Sequence, residues 1–505
     1  MKELITAVRK YRDKMLNDPH RPTYHFAIPD DNGLPGDPNG AFFADGVYHL
    51  MYLYRNSSTD AFHWGHISSV DLLHWRSHPD ALTACNDEGC FSGGAFLYDD
   101  GRAYLSFWKF RSKDPNGDNG GIAIACADPP YEKWERITPI AIEGSERIWG
   151  TVDIEIDGKI RHISCADPGN IWKMNGRYYM QTGNKCVLDA YGRDENSETC
   201  YKGDWTDLFV SDDLKEWKFV RRFYENTHNG DDWPDETEDD MCPSLLPLYD
   251  SEENGKLTDK YLQLFISHNK GCQYYIGTLN GERFIPEQHG RMSRKDNAFF
   301  APEALIDDKN RQIMWAWLLD DPKDCFARYG WSGVYSFPRN VWFENNQLHM
   351  APVSELSALE YNKKIPVIDD NNVVSVNNGE VFRLRARIDV SADNKFGFSV
   401  RCSEDGSIHT DIYYDKESKM LVFDATNSGS DGWRIKEEAP IVLEDNILDI
   451  DIFVDKSVVE VYANKKQAIC RRVYPEVKAE IVRLIGEKSA VTEIEVSDMA
   501  PTNLY

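Results

Sequence analysis

The chain has 505 residues, of which 41% are hydrophobic and 12% are aromatic. This length exceeds one ordinary hydrophobic core and predicts two or three domains, and the aromatic surplus favours β structure. The 84 acidic residues outnumber the 57 basic ones, for a net charge of −27. Phosphate binding needs clustered Lys and Arg, so this balance argues against nucleic acid or an anionic membrane as partner and fits a neutral small molecule.

The first 20 residues predict an amphipathic helix, with apolar side chains at roughly helical spacing. Such a helix packs either on the body of the protein or on another subunit, so the sequence is compatible with both a monomer and a homo-oligomer. The segment lacks the apolar core of a secretion signal, and no run of about 18 apolar residues follows. We therefore expect a cytoplasmic protein. Its 11 cysteines show no CxxC pair and no zinc spacing, which indicates reduced thiols and no metal or cofactor.

Residues 21–352 predict the larger domain, because short apolar or alternating runs are separated there by Gly, Asp and Asn turns. So many short strands over about 300 residues indicate a β-propeller or a large barrel. An internal sequence repeat favours the propeller. The pattern S-x-D-L-x-x-W occurs at 69–75 and again at 211–217, each at the end of an inferred blade and far enough apart to hold several blades.

Residues 353–370 predict a linker with a short helix, and residues 371–505 a β-sandwich. The predicted sandwich strands alternate with period 2 and lie at 381–388, 396–401, 411–414, 421–424, 448–454, 458–463 and 481–486.

A single carboxylate, Asp37, stands in a Gly-Asp-Pro-Asn-Gly sequence before two runs that predict a hairpin joined at 44–46. Pro38 fixes φ, Asn39 can bond its own backbone, and the flanking glycines allow positive φ, so we expect a turn that holds Asp37 in one orientation. Two further acidic turns lead into strands: Asp167-Pro168 before 171–174, and the run 238–240 before 244–248. Three acid-bearing turns that each lead into a strand are the pattern expected of a propeller with a funnel lined by carboxylates.

These segments resemble glycoside hydrolase family 32, the invertases, inulinases and levanases that act on β-fructofuranosides. The resemblance extends from 24 to about 462, and its main pieces are Asp37-Pro38-Asn39-Gly40, His63-Trp64-Gly65-His66, Phe91-Ser92-Gly93-Gly94, Asp167-Pro168, Cys242-Pro243, Phe300-Ala301-Pro302-Glu303 and Gly330-Trp331-Ser332-Gly333. It implies an all-β fold, a five-bladed propeller followed by a C-terminal β-sandwich, with the short N-terminal helix added.

The resemblance also implies roles for individual residues. Asp37 would be the nucleophile of a retaining glycosidase, and Asp167 would stabilise the transition state by bonding sugar hydroxyls. A saccharide is the implied partner, and no cofactor or metal is needed. The implied substrate-binding residues are Asn39, Trp64, Phe91, Ser92 and Glu303. Two of them have an equal alternative, since Trp64 could belong to the core and Glu303 could bridge strands.

This chain departs from the family pattern at four polar positions, which are Gly36 for Asn, Leu53 for Gln, Ala166 for Arg and Met241 for the acid/base Glu. The motif therefore does not identify the proton donor. Glu238 is the first choice, since a shift of one turn returns a Glu from the same loop, and Asp239 or Asp240 are the alternatives. A general acid at neutral pH needs a raised pKa, which burial or neighbouring carboxylates supply.

The leading hypothesis is a retaining β-fructosidase acting on a small fructose-containing saccharide. The lost polar residues favour a substrate that differs from sucrose or linear inulin, with a cyclic difructose anhydride as one candidate. Fructosyl transfer shares every step up to the covalent intermediate and stays an alternative. A second alternative is an inactive sugar-binding propeller. We expect His63, His66 and His268 to be structural, since no companion ligands suggest a metal.

Overall fold

The computed structural model describes residues 2–27, 35–85, 89–225, 239–268, 270–319, 329–391 and 394–503. It divides into two compact units, Asn32–Trp317 and Met1–Asp31 together with Leu318–Tyr505. The predicted N-terminal helix is confirmed as α1, Lys2–Leu16. Apart from α1 and short helical turns, the regular structure of the described residues is β-strand.

In the unit Asn32–Trp317, four antiparallel sheets have four strands each, joined in chain order. The first contains β1 (Pro35–Ala44), β2 (Val47–Asn56), β3 (Ala61–Ser69) and β4 (Arg76–Leu82), and the second β5 (Cys90–Leu97), β6 (Ala103–Lys109), β7 (Gly121–Ala127) and β8 (Glu135–Glu143). A separate hairpin follows, of β9 (Thr151–Ile156) and β10 (Lys159–Ser164). The third contains β11 (Trp172–Met174), β12 (Arg177–Gly183), β13 (Trp205–Ser211) and β14 (Lys218–Glu225), with the short helix α2 (Lys185–Val187) after β12. The fourth contains β15 (Met241–Tyr249), β16 (Leu257–Ser267), β17 (Gly271–Asn280) and β18 (Arg283–Arg291), and the pair β19 (Phe300–Ile306) and β20 (Gln312–Leu318) comes next.

The sheets pack face to face through hydrophobic clusters. One cluster joins the first sheet to the second, a second joins the second to the third, and another joins the third to the fourth. Because both faces of a sheet are covered, strands such as β2 are buried along nearly their whole length. This explains why an alternating polar pattern is weak in this part of the sequence.

The first strands of the sheets meet one another: β1 contacts β5 and β19, and β15 contacts the same two strands. Four-stranded sheets packed face to face with their first strands together form a β-propeller. The predicted all-β fold, propeller followed by sandwich, is confirmed. The count of five blades stays a prediction, because the described part of this unit contains four complete sheets and one further strand pair.

The two copies of S-x-D-L-x-x-W form the same turn. Each connects the third strand of its sheet to the fourth, so the motif lies one strand earlier than the blade end where the sequence placed it. Leu72 and Leu214 both have φ of 64°. In each copy the Asp side chain, Asp71 or Asp213, accepts two backbone N–H bonds from residues two and three positions further on. The repeated motif therefore occupies equivalent positions in two blades.

The unit Met1–Asp31 with Leu318–Tyr505 contains the sandwich, whose two six-stranded sheets have the orders β24-β35-β26-β31-β32-β33 and β25-β34-β27-β28-β29-β30. Before it come β21 (Val334–Tyr335) and the hairpin of β22 (Arg339–Glu344) and β23 (Gln347–Pro352). The sandwich strands are β24 (Glu360–Lys364), β25 (Val373–Val374), β26 (Val381–Asp389), β27 (Lys395–Ser403), β28 (Thr410–Asp415), β29 (Met420–Asp424), β30 (Lys436–Pro440), β31 (Ile447–Asp455), β32 (Val458–Ala463), β33 (Gln467–Arg472), β34 (Ala479–Ile485) and β35 (Val491–Met499).

All seven strands predicted for the sandwich are present, and β24, β25, β30, β33 and β35 were missed. The segment predicted as a linker contains a 3-10 helix, Ser354–Leu359, and β24, which pairs with β35. The predicted domain boundaries at 20, 352 and 370 stay predictions.

Candidate active site

The starts of the innermost propeller strands share one irregularity. Strands β1, β15 and β19 each contain a register shift and, within it, a residue with left-handed φ: Gly40 at 53°, Cys242 at 48° and Ala301 at 45°. β5 has a register shift at the same place, between Cys90 and Gly93. A bulge re-aims the side chains beside it, and strained backbone of this kind gathers at functional sites. The bulges locate the candidate site at this end of the strands.

Asp37 lies inside β1, so the predicted Gly-Asp-Pro-Asn-Gly turn is wrong. The segment is extended and pairs with β2, and its irregularity comes from two register shifts. Ser92, at the start of β5, donates its hydroxyl hydrogen to Asp37 Oδ2. Burial raises the pKa of Asp37 to about 6, against the lowering effects of the Ser92 bond and of the His268 charge. The carboxylate is thus ionised near neutral pH and held in one orientation.

Asp167 precedes β11 and has a left-handed φ of 41°. It is 8% exposed, and burial together with the charge of Asp37 raises its pKa to about 7. The thiol of Cys242 lies between the two acids, with Sγ 3.8 Å from Asp167 Oδ2 and 4.0 Å from Asp37 Oδ2. The structure therefore brings Asp37, Asp167 and Ser92 together as the sequence predicted, with Cys242 as an addition.

His268 follows β16 and forms an ion pair with Asp239, with 2.7 Å between Nδ1 and Asp239 Oδ2. The backbone N–H of His268 donates to the other oxygen, Oδ1, at 2.9 Å. Burial lowers the pKa of His268, but the bond and charge of Asp239 outweigh it and the pKa is raised above 6.5. The sequence prediction of a structural histidine did not foresee this pair beside the two acids.

Of the predicted proton donors, Glu238 lies outside the described residues. Asp240 is described, and both its oxygens are buried without a hydrogen-bond partner in the described part of the chain. Burial and then the charge of Asp204 raise its pKa well above 3.8, so it is a neutral acid. Asp204, whose charge acts on Asp240, is itself hydrogen-bonded to Tyr224 and Tyr275, and Asp240 is only 1% exposed.

Glu303 lies under β1, where its Oε1 accepts the backbone N–H of Ala41 at 3.3 Å. It is 3% exposed, and burial raises its pKa to about 8. It therefore acts as a neutral acid that braces β1 at neutral pH. This geometry favours the strand-bridging role, and contact with substrate stays a prediction.

The remaining predicted binding residues differ in position. Trp64 is completely buried, with Nε1 donating to the carbonyl of Phe91, so its ring packs in the core, and contact with substrate stays a prediction. Asn39 is also buried and links β1 to β5 by accepting the N–H of Gly93. Phe91 joins an aromatic cluster that ends at Trp149, which is 41% exposed.

The four departures from the family pattern lie at buried positions. Leu53, Ala166 and Met241 are buried at 5%, 0% and 3% exposure. A side chain at position 36 would meet the ring of Trp317, 3.5 Å from the position of its Cβ. Trp317, which the sequence reasoning missed, thus occupies space beside the nucleophile. The only signal for it was its place in the aromatic run 315–317.

In the described part of the chain, no group of three His, Cys, Asp or Glu side chains has a metal-binding arrangement. Among the same residues, no helix is both long and apolar enough to cross a bilayer.

A half-buried acid held by a serine, Asp37, and a buried acid, Asp167, both at the starts of propeller strands, define a glycosidase-type site. The comparisons agree with this class. The model of the glycosyl hydrolases family 32 N-terminal domain matches residues 25–352, and that of the family 32 C-terminal domain matches residues 353–499. The chain belongs to glycosyl hydrolase family 32 and is a glycoside hydrolase.

Curated relatives include the sucrose-6-phosphate hydrolase of Bacillus subtilis, 26% identical over 91% of this chain and 90% of the relative. The levanase of the same species is 26% identical over 94% of this chain and 69% of its own length. Among solved structures, fructan 1-exohydrolase IIa of Cichorium intybus is 19% identical, with a TM-score of 0.76 and coverage of 96% of this chain and 98% of that one. This last similarity shows the fold alone.

Proposed function

We propose that the protein hydrolyses a β-fructofuranosyl bond in a small fructose-containing saccharide, with retention of configuration. The observation that carries the proposal is the pair of Asp37 and Asp167 about the Cys242 thiol, with Ser92 holding the nucleophile. In this mechanism ionised Asp37 attacks the anomeric carbon, a covalent fructosyl-enzyme forms, and water then releases fructose.

Asp167 would bond the sugar hydroxyls and so hold the ring as its anomeric carbon gains positive charge. Its raised pKa suits this role, because a carboxyl that is partly protonated near neutral pH can donate as well as accept hydrogen bonds. Two negative acids this close would repel each other, so the pair shares less than two charges at neutral pH.

The substrate class follows from the loss of polar groups around Asp37. Gly36, with the ring of Trp317 beside it, and Leu53, in the hydrophobic cluster between the first two sheets, stand where the family places Asn and Gln. A compact and uncharged fructoside, including a cyclic difructose anhydride, fits this environment. Sucrose 6-phosphate is the runner-up because of the relatives that bear its name. Its phosphate needs a free cation, and the nearby Lys185 is paired with Asp189.

The test is fructose release from a panel of sucrose, sucrose 6-phosphate, fructan oligosaccharides and difructose anhydride. We expect release from at least one compact fructoside, and a fall of at least about 10³-fold in kcat for Asp37→Asn with binding retained. Analysis of products at high substrate concentration separates hydrolysis from fructosyl transfer. No release from any member of the panel, with unchanged affinity after Asp37→Asn, would leave the inactive sugar-binding alternative.

A further inference from the structure

The imidazole of His268 is fixed by Asp239 in one orientation. Asp239 is 2% exposed and uses one oxygen for the ring and the other for the backbone N–H of His268. The carbonyl of Asp239 also accepts the hydroxyl hydrogen of Ser267, at 2.7 Å. Because a carboxylate on Nδ1 keeps the proton there, the second nitrogen, Nε2, carries the exchangeable proton.

The register of β15 and β16 places His268 beside the position where the family has its proton donor. Met241 pairs with Ile266, so position 239 lies opposite 268, and side chains of 239, 241, 266 and 268 share one face. The side chain at 268 is thus the diagonal neighbour of Met241, which stands where the resemblance puts the acid/base Glu. Diagonal neighbours are about 7–8 Å apart, within reach of one long side chain.

The imidazole is also within electrostatic reach of both catalytic acids, since its charge lowers the pKa of Asp37 and of Asp167. The charged groups around it come from four elements: Asp37 in β1, Asp167 before β11, Lys185 in α2 and Asp239 before β15. The ring of Phe300 packs edge-on at 5.9 Å. The side chain is 39% exposed, so its free edge is open to a substrate.

We propose that His268, held by Asp239, is the acid/base catalyst of this protein in place of the family's glutamate. The inference rests on the proposed function. In the first step Asp37 bonds to the anomeric carbon, the glycosidic C–O bond breaks, and the proton on Nε2 goes to the departing oxygen. In the second step Nε2 takes a proton from water, the water oxygen bonds to the anomeric carbon, and Asp37 leaves as a carboxylate.

The other acids of this loop fit the role less well. Asp239 has both oxygens occupied by His268, and Asp240 is only 1% exposed, which removes its carboxyl group from reach of a substrate. Glu238 stays a competing prediction, and the experiment below includes it.

The proposal predicts which group sets each limb of the pH–activity profile and in which direction a limb moves when its group is perturbed. Asp37 must be ionised, which sets the acidic limb, and His268 must be protonated, which sets the basic limb. Burial acts to lower the pKa of His268, and Asp239 reverses this effect. Asp239→Asn removes the carboxylate charge, so the basic limb moves to lower pH while the acidic limb of Asp37 stays.

The test compares His268→Asn with wild type on the best fructoside of the panel and on β-fructofuranosyl fluoride, whose leaving group departs without a proton. We expect kcat on the fructoside to fall about 10²–10⁴-fold, with first-turnover release of fluoride nearly unchanged. Azide attacks the fructosyl-enzyme without help from a general base. Added azide should therefore restore steady-state turnover of the fluoride by His268→Asn. Glu238→Gln runs in parallel. His74→Asn is the matched control, because His74 forms a similar pair with Asp71 in a turn after β3 and should leave both rates unchanged.

Equal losses on both substrates would mean a positioning effect only and would overturn the inference, as would an unchanged rate in His268→Asn. The inference is also overturned if Glu238→Gln, and not His268→Asn, loses rate on the fructoside while keeping its rate on the fluoride. Circular dichroism excludes misfolding, and Asp239→Asn gives a second reading through its pH profile if His268→Asn folds poorly. Activity of the wild type on the panel tests the proposed function separately.

Discussion

The hydroxyl of Ser92 donates a hydrogen bond to Oδ2 of Asp37, and this bond joins the first two sheets of the propeller at the candidate nucleophile. It opposes the effect of burial on the pKa of Asp37. The serine hydroxyl therefore keeps the carboxylate ionised as well as oriented.

Removal of this bond should raise the pKa of Asp37 further. A hydrogen bond to a charged group contributes about 1.5–3 kcal/mol, which corresponds to about 1–2 pH units. In Ser92→Ala we expect the acidic limb of kcat/KM to move from near pH 6 to higher pH by about this amount. Ser106→Ala is the control, since that buried hydroxyl donates to the carbonyl of Gly169 and should leave the limb in place.

The bulge at Gly40 should tolerate no side chain. An added Cβ would lie 2.9 Å from Leu105 and 3.1 Å from Trp64, in addition to the strain of φ +53°. Gly40→Ala should therefore cost about 1–2 kcal/mol for the backbone and about 1–3 kcal/mol for overpacking. Gly46→Ala isolates the backbone part, because φ there is +79° with nothing within 4 Å. Equal shifts of the urea midpoint in the two variants would contradict the packing argument.

Glu303 should make stability depend on pH. Its folded pKa of about 8 lies above its ordinary value of 4.5, so the folded state holds a proton that the unfolded state loses between these values. This contribution is fully present below about pH 4.5 and is lost as pH rises to about 8. Between about pH 4.5 and pH 8, the melting temperature of wild type should fall relative to that of Glu303→Gln. Above about pH 8, the difference between the two melting temperatures should stay constant. Glu216→Gln, the same change at an exposed position, is the matched control.

Cys242 should resist alkylation despite its place in the site. Burial, with the charges of Asp167 and Asp37, raises the pKa of its thiol well above 9, and only the thiolate reacts. Brief iodoacetamide treatment at pH 8 should label exposed Cys85 first and leave activity intact. Peptide mass spectrometry checks the order, with urea-unfolded protein as the reference in which both react. Labelling of Cys242 ahead of Cys85 would refute the prediction.

The sandwich strands could be predicted because each has one face toward the core and shows period 2, as in β26 and β31. Four of the missed strands, β24, β30, β33 and β35, contain charged residues that form ion pairs with residues of other strands. In β35, Glu495 pairs with Arg385 of the adjacent β26. Sequence spacing does not reveal such a partner.

At the candidate site, Asp37, Ser92 and Asp167 could be identified from their motifs, since each motif is local. The role given to His268 could not, because its partner Asp239 is 29 residues away and the two meet only through the pairing of β15 and β16. For Trp64 the motif left core and sugar site equally open. Packing between two sheets buries the ring completely, which favours the core, and contact with substrate stays a prediction.

The sequence by itself determined the all-β class, the sandwich and the family, and it predicted two candidate acids, because hydrophobic period and short motifs are encoded by neighbouring residues. Tertiary structure decided which groups lie beside Asp37, because that environment is assembled from β1, β5, β15, β19 and the loop before β11. Burial among these strands, rather than residue type, sets the protonation of Asp37, Asp167 and Glu303. Desolvation depends on what packs around a carboxyl group, and that is fixed only when the sheets come together.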